Sequence, residues 1–297
     1  MIAGEHAVLH GKHALVGAVN QRVYVSLEPR NDDLIAIHSS LGERQMPRTQ
    51  IDSSKPFNFL GAVFEKHQNS FESGFDLTVK ADFPADIGLG SSSAITVATM
   101  ATIERWLNGK FPKREKLMHD AIEIIRSVQG RGSGADVAAA VYGGILLYKA
   151  TPEIIAHHEN LPPIALVYAG YKTPTPEVIK IVEQQRKYSA DNYKDLYNRI
   201  DVSAIAANEA LCNRDWTLLG QELSKAQDLM EELGVCDDAL TEILSTMNKM
   251  PNISGAKISG SGLGDCVLGI GALDKVDWKY REIPVELSSC GVEQEKM

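Results

Sequence analysis

Over Phe75–Lys80 apolar and polar residues alternate, with Phe75, Leu77 and Val79 on one face, and this period of two predicts a half-buried strand. Val23–Leu27 and Leu34–Ile37 are strand-like as well. The period then changes. Phe57–His67 reads as a helix, Ala94–Leu107 places Ile95, Ala98, Ile103 and Trp106 on one stripe, and Lys113–Val128 does the same with Leu117, Ile122 and Ile125. Gly130–Gly134 interrupts the pattern before a short apolar helix, Ala135–Tyr142, and a strand, Ile145–Tyr148. A buried strand over Ile164–Ala169 opens the second half, which then turns strongly helical. Pro176–Tyr188, Ile200–Asn213, Trp216–Leu233 and Asp237–Met250 are predicted helices, followed by strands at Gly255–Ser259 and Cys266–Ile270. Composition shifts at Thr151–Pro163, which holds Pro152, two histidines and Pro162-Pro163, so a domain boundary is expected there, between 1–155 and 156–297. The pattern is that of an α+β protein in two lobes, with no internal repeat.

Composition narrows the partners. Of 297 residues, 44% are hydrophobic and 23% charged, as in a globular chain rather than a disordered one. The formal charge of −9 argues against broad nucleic-acid binding, which needs a positive footprint. Cys212, Cys236, Cys266 and Cys290 are scattered without paired spacing, which predicts free buried thiols in a reducing compartment rather than a disulfide frame or zinc site. No apolar run approaches the roughly 18 residues that span a bilayer, and no leader-like segment opens the chain; the expected location is cytoplasmic, away from membranes.

The candidate chemistry lies in glycine-rich segments. Within Pro84–Ala94, Gly88 and Gly90 let the backbone approach a ligand closely, and Ser91, Ser92 and Ser93 stand where a long helix begins. A helix N-terminus attracts phosphate, and serine oxygens there can cap the helix, bind phosphate or reach a phosphate-bound metal. The segment is either a nucleotide-phosphate cradle or an ordinary serine cap behind a tight turn. It is neither a P-loop nor a Gly-x-Gly-x-x-Gly turn after a strand. The run Gly4–Lys12 holds His6 and His10 four residues apart, with His13 close behind, but Glu5 precedes His6 instead of following it as a zinc-hydrolase motif requires. Contacts to a polar ligand suit it better than metal binding. Asp136 follows Gly130–Gly134 and opens an apolar helix; it either serves the helix dipole or is a rigid carboxylate able to take a proton from a hydroxyl. Gly255–Cys266 is a strand, a glycine-rich turn and a second strand, either a plain hairpin or an anion nest. No Gly-x-Ser-x-Gly nucleophile elbow is present.

Taken together and in this order, these elements resemble the GHMP kinase superfamily of small-molecule kinases. Gly4–Lys12 looks like the first motif of its mevalonate kinase branch, Gly88–Ala94 is similar to the family's phosphate loop, Ser133–Asp136 matches the segment carrying the catalytic aspartate, and Gly255–Cys266 matches the third motif. The resemblance implies a two-lobed fold, with an N-terminal lobe like domain 2 of ribosomal protein S5 and a ferredoxin-like C-terminal lobe. It implies phosphoryl transfer from MgATP to a primary hydroxyl of a small carboxylate, in isoprenoid synthesis if the mevalonate branch is the right one. Asp136 would be the catalytic base. Gly88, Leu89, Gly90, Ser91, Ser92 and Ser93 would bind ATP, with Mg²⁺ on Ser92. Glu5, His6, Gly134, Thr175, Ser261 and Gly262 would bind the substrate, and a homodimer is expected. Asp265-Cys266 and Gly132–Val137 look more like phosphomevalonate kinases, which makes that activity an alternative. A nucleotide-binding relative without kinase activity is a third reading, because three positions depart from the family pattern. The Lys of an Ala-Pro-Gly-Lys motif would fall two residues before Met1, Ile125 stands where an acidic Mg²⁺ ligand is usual, with Glu123 two residues off, and Asp86 replaces a loop glycine. The natural start is accordingly expected upstream of Met1, with Lys12, Lys172 and Lys257 as the other possible sources of the cation.

Overall fold

The computed structural model describes residues 1–83, 87–151 and 153–295. In chain order the strands are β1 (His13–Gly17), β2 (Val23–Pro29), β3 (Leu34–Ser39), β4 (Gly42–Pro47), β5 (Phe75–Ala81), β6 (Ile145–Lys149), β7 (Glu153–His158), β8 (Ile164–Lys172), β9 (Ile253–Ser259), β10 (Gly264–Gly271) and β11 (Arg281–Ile283). The helices are α1 (Asn58–His67), α2 (Ser91–Asn108), α3 (Arg114–Gln129), α4 (Ala135–Tyr142), α5 (Thr175–Arg186), α6 (Ala190–Cys212), α7 (Trp216–Glu232) and α8 (Asp238–Met247). They form two compact units that interleave along the chain. The first holds residues 1–20, 87–89 and 143–291, and the second residues 21–83, 90–142 and 292–295. The expected boundary after residue 155 falls inside β7, within the first unit. Part of the expected phosphate cradle, Pro84–Asp86, lies outside the described residues.

In the second unit a four-stranded sheet, ordered β2-β5-β3-β4, pairs β3 with β5 in parallel and is otherwise antiparallel. The alternation of β5 is realised in its burial, with Phe75, Leu77 and Val79 inside. Phe75 meets Phe64 of α1 and Trp106 of α2 edge-on, each with ring centroids 5.4 Å apart, so one aromatic cluster ties the sheet to both helices. Helix α2 packs on β2 and also touches α1, α3 and α4, which makes it the central helix of this unit. It starts at Ser91, three residues before the expected start. Gly90, at φ 74°, occupies the cap position, a left-handed conformation that glycine adopts without a Cβ penalty.

The first unit contains a three-stranded antiparallel sheet, β1-β6-β7, and a four-stranded antiparallel one, β11-β8-β10-β9. Helices α7 and α8 cover β9 and β10, and α6 packs against α7 and β1. Val167, Ile258, Val267, Leu240 and Ile243 form part of one apolar cluster. Ile87, Leu166, Leu219, Leu223 and Leu268 belong to a second, which anchors the segment before Gly88 in this unit. Four strands escape the periodicity. β1 is buried at Ala14, Leu15 and Val16 alike and so shows no alternation, whereas β4 is a charged edge strand with Met46 alone buried. β7 is an edge strand inside the expected boundary segment, and β11 has three residues. Two of the four cysteines expected to be buried, Cys212 and Cys290, are exposed; all four are free.

Candidate active site

In the second unit, the N-terminus of α2 and the start of α4 come together. The cap residue Gly90 offers no side-chain acceptor to the first turn, formed by Ser91, Ser92 and Ser93, and no acidic residue lies in that turn. The partial positive charge of this helix end is thus not offset by a local carboxylate in α2. Ser93 is buried, and the Ser92 carbonyl accepts from Thr96 Oγ1 at 2.7 Å, which leaves the geometry of that turn fixed from below. Asp136 is the second residue of α4 and is exposed. A Cβ placed on Gly90 would lie 3.5 Å from Asp136 Cβ, 3.7 Å from Cγ and 4.0 Å from Oδ2, so the carboxylate stands in van der Waals range of the helix cap. The chain reaches Asp136 through a pinned turn. Arg126 Nε donates to the Gly132 carbonyl at 3.0 Å, Gly134 turns at φ 87°, and its carbonyl accepts from Ala138 N at 2.9 Å to start α4. Of the expected residues, the structure therefore brings Gly90, Ser91–Ser93, Gly134 and Asp136 into one place.

In the first unit the Gly4–Lys12 run meets the glycine-rich turn between β9 and β10. Glu5 and Lys257 are both buried and form an ion pair at 2.5 Å; Lys257 also donates to the Ile258 carbonyl, and Glu5 Oε2 has no hydrogen-bond partner among the described residues. Burial lowers the Lys257 pKa, and Glu5 opposes the shift. His6 sits at φ 59°, an unusual conformation for a side chain of its size, and its Nε2 lies 2.8 Å from the Ser261 carbonyl. A carbonyl can only accept, so Nε2 carries the proton and Nδ1 is the acceptor of a neutral ring. Burial holds the His6 pKa below 6.5, partly offset by that hydrogen bond and by Glu5. Ser261 Oγ is buried without a partner among the described residues, and Gly262 packs so tightly on Val235 that a Cβ would come within 2.6 Å of the Val235 Cβ. Leu89 packs against the apolar cluster of this unit, and Gly88 beside it lies against Asp265, whose carboxylate a Cβ at Gly88 would overlap. Thr175 is the first residue of α5 and is exposed.

Three more polar residues of this unit lie around the glycine-rich turn; Lys172 was expected only as a possible source of the cation and Asp265 only as part of the third motif, and Thr173 was not foreseen. Thr173 donates through Oγ1 to the Leu263 carbonyl at 2.6 Å, Lys172 pairs with Asp265 at 3.1 Å, and Asp265 is buried at φ 72°. Thr173 carries no signal in the sequence beyond its place next to Lys172, the last residue of β8. The histidines of the first motif separate: His10 faces Glu183 at 3.2 Å and stacks on Tyr197, and His13 bonds Asp201 at 2.8 Å. Among the described residues no cluster of three acidic, histidine or cysteine side chains is placed to hold a metal. Ile125 is buried, and Glu123 is engaged by Lys66 at 3.3 Å on the surface. Magnesium keeps several waters and is usually held by one or two protein oxygens together with substrate phosphates. The Ser92 hydroxyl on the first turn of α2, in the same unit as the exposed Asp136 carboxylate, fits that modest demand.

A sequence profile of the N-terminal domain of GHMP kinases matches residues 58–144, and one of the C-terminal domain of GHMP kinases matches residues 207–280, together more than half of the chain. The chain is 27% identical over 270 residues to a mevalonate kinase of Archaeoglobus fulgidus, covering 91% of this chain and 89% of that protein. It is 26% identical over 317 residues to a mevalonate kinase of Pyrococcus abyssi, covering 98% and 90%. In three dimensions it is similar to the mevalonate kinase of Methanococcus jannaschii, with a TM-score of 0.79 at 22% identity over 96% of this chain and 95% of that one. The last likeness concerns the fold.

Proposed function

This chain belongs to the GHMP kinase family, whose members are phosphotransferases acting on an alcohol group, and we propose that it phosphorylates the primary hydroxyl of mevalonate from MgATP. One observation carries the chemistry: an exposed carboxylate, Asp136, held by the start of α4 against the glycine that caps the helix offered to phosphate. In phosphoryl transfer the protein contributes position and charge rather than covalent steps. We assign the nucleotide's phosphates to the backbone of Gly88–Ser93 and to the end of α2 behind it. Asp136 orients the substrate hydroxyl and takes its proton as that oxygen bonds to the γ-phosphorus and the bond to the β-phosphate oxygen breaks, releasing ADP. Mg²⁺, held on Ser92, would neutralise charge on the phosphates. Glu5, His6, Gly134, Thr175, Ser261 and Gly262 are assigned to the substrate. The neutral His6 ring presents a fixed tautomer, so its free nitrogen accepts from a hydroxyl. A cytoplasmic location, supported by four free thiols, and a homodimeric assembly belong to the same proposal.

The test is Asp136→Asn. The variant keeps the shape and cannot take the proton, and loss of a general base costs about 10²–10⁴-fold in turnover. ADP release with mevalonate should fall by that factor while ATP affinity stays within about twofold. Near-normal turnover would reduce Asp136 to a helix-terminal carboxylate.

A further inference from the structure

Asp265 is a carboxylate in an unexpected setting. It lies where the glycine-rich turn enters β10, at φ 72°, in the left-handed region that a non-glycine residue seldom occupies, and its side chain is 3% exposed. One oxygen, Oδ1, has no hydrogen-bond partner among the described residues. Its carboxylate is seated against the backbone at Gly88, where a Cβ would overlap it, and at Gly260, where a Cβ would approach Oδ2 to 2.9 Å. A buried negative charge beside a segment that holds phosphates has the wrong sign unless it serves a cation. That cation is Lys172, the last residue of β8, whose ammonium stands 3.1 Å from Oδ2. An ammonium has three N–H donors, and this one is on a side chain still 30% exposed, so two donors remain after the ion pair. The other lysines near the glycine motifs are committed differently: Lys257 is buried with Glu5, and Lys12 lies 3.9 Å from Asp201.

We propose that Lys172 binds the phosphate chain of a nucleoside triphosphate at Gly88, with Asp265 as the positioning residue that aims its ammonium. The proposal rests on the assignment of Gly88–Ser93 to nucleotide phosphates made above. Backbone strain at Asp265 then has a use, because the left-handed turn is what swings this carboxylate under Lys172.

The experiment compares ATP and adenosine binding, by calorimetry, to the full chain and to Lys172→Met, Lys172→Arg and the double variant Lys172→Met/Asp265→Asn. Hydrogen bonds to charged groups set the scale, and Lys172→Met should weaken ATP by about 10–100-fold with adenosine affinity unchanged. Lys172→Arg should recover most of the loss, and the double variant should not. The melting temperature of Lys172→Met, a half-exposed position, serves as the folding control. Unchanged ATP affinity in Lys172→Met overturns the proposal, and so does full recovery in the double variant, which would make Lys172 a mere neutraliser of Asp265. An unaltered chain that binds no ATP overturns it too. A chain that binds ATP through Lys172 yet releases no ADP with mevalonate leaves this inference standing and removes the substrate assignment instead.

Discussion

At the scale of the residue, burial decides what each polar group can do. His6 is buried on the Ser261 carbonyl and His67 is half-buried in the second unit, and for both desolvation is the largest cause of a pKa below 6.5; the more exposed His10 shifts the same way. The unfolded chain takes up these protons as the pH falls through 6.5, while the folded protein resists until lower pH. Stability contributed by the neutral rings is therefore complete above 6.5 and is lost on going from 6.5 down toward the depressed folded values. The melting temperature should hold level from pH 8 to 7 and fall progressively below 6.5, and His6→Gln should lessen that fall. A melting temperature unchanged between pH 7 and 5.5 would contradict the buried, neutral assignment. The presence of His6, Glu5 and Ser261 in one polar patch was legible in the glycine-flanked motifs. Their bonds were not, since Lys257 and Ser261 lie some 250 residues from Glu5 and His6, beyond the reach of local pattern.

Elements set which residues meet. Helix α2 begins at Ser91 because Gly90 takes the left-handed cap conformation, and this puts all three serines in the first turn, where their N–H groups face out along the helix axis. The sequence pattern showed the helix but set its start at the first good helix former, Ala94, since serine is weak in helix interiors and strong at their ends. Alternation revealed β5 and missed β1 and β4, because a strand buried on both faces and a charged edge strand have no period of two to show. In α3 the helical phase turns Ile125 inward and leaves Glu123 on the surface with Lys66. The Mg²⁺ dependence of the enzyme should accordingly shift to higher concentration in Ser92→Ala, through loss of an oxygen ligand, and stay where it is in Glu123→Gln. A shifted titration in Glu123→Gln with none in Ser92→Ala would move the metal to α3.

On the scale of the whole molecule, two family profiles and relatives covered over nine-tenths of this chain place it among the GHMP kinases. That membership was legible from the order of three glycine-rich motifs, although each by itself had a plain structural explanation. The interleaving of the two units was not, because contacts and not composition define a compact unit, and the first unit takes its strands from both ends of the chain. Substrate choice separates members of one family, and Asp265-Cys266 in the third motif together with Gly132–Val137 set phosphomevalonate beside mevalonate as a candidate. Here the single most direct measurement is ADP release by the purified chain with MgATP against mevalonate, mevalonate 5-phosphate, galactose and homoserine, with the product from mevalonate identified by phosphorus NMR. We predict one ADP per mevalonate consumed, a phosphomonoester on the primary hydroxyl, and a kcat/KM at least tenfold above that for any other acceptor. Turnover confined to mevalonate 5-phosphate, or none with any of the four, would contradict the account.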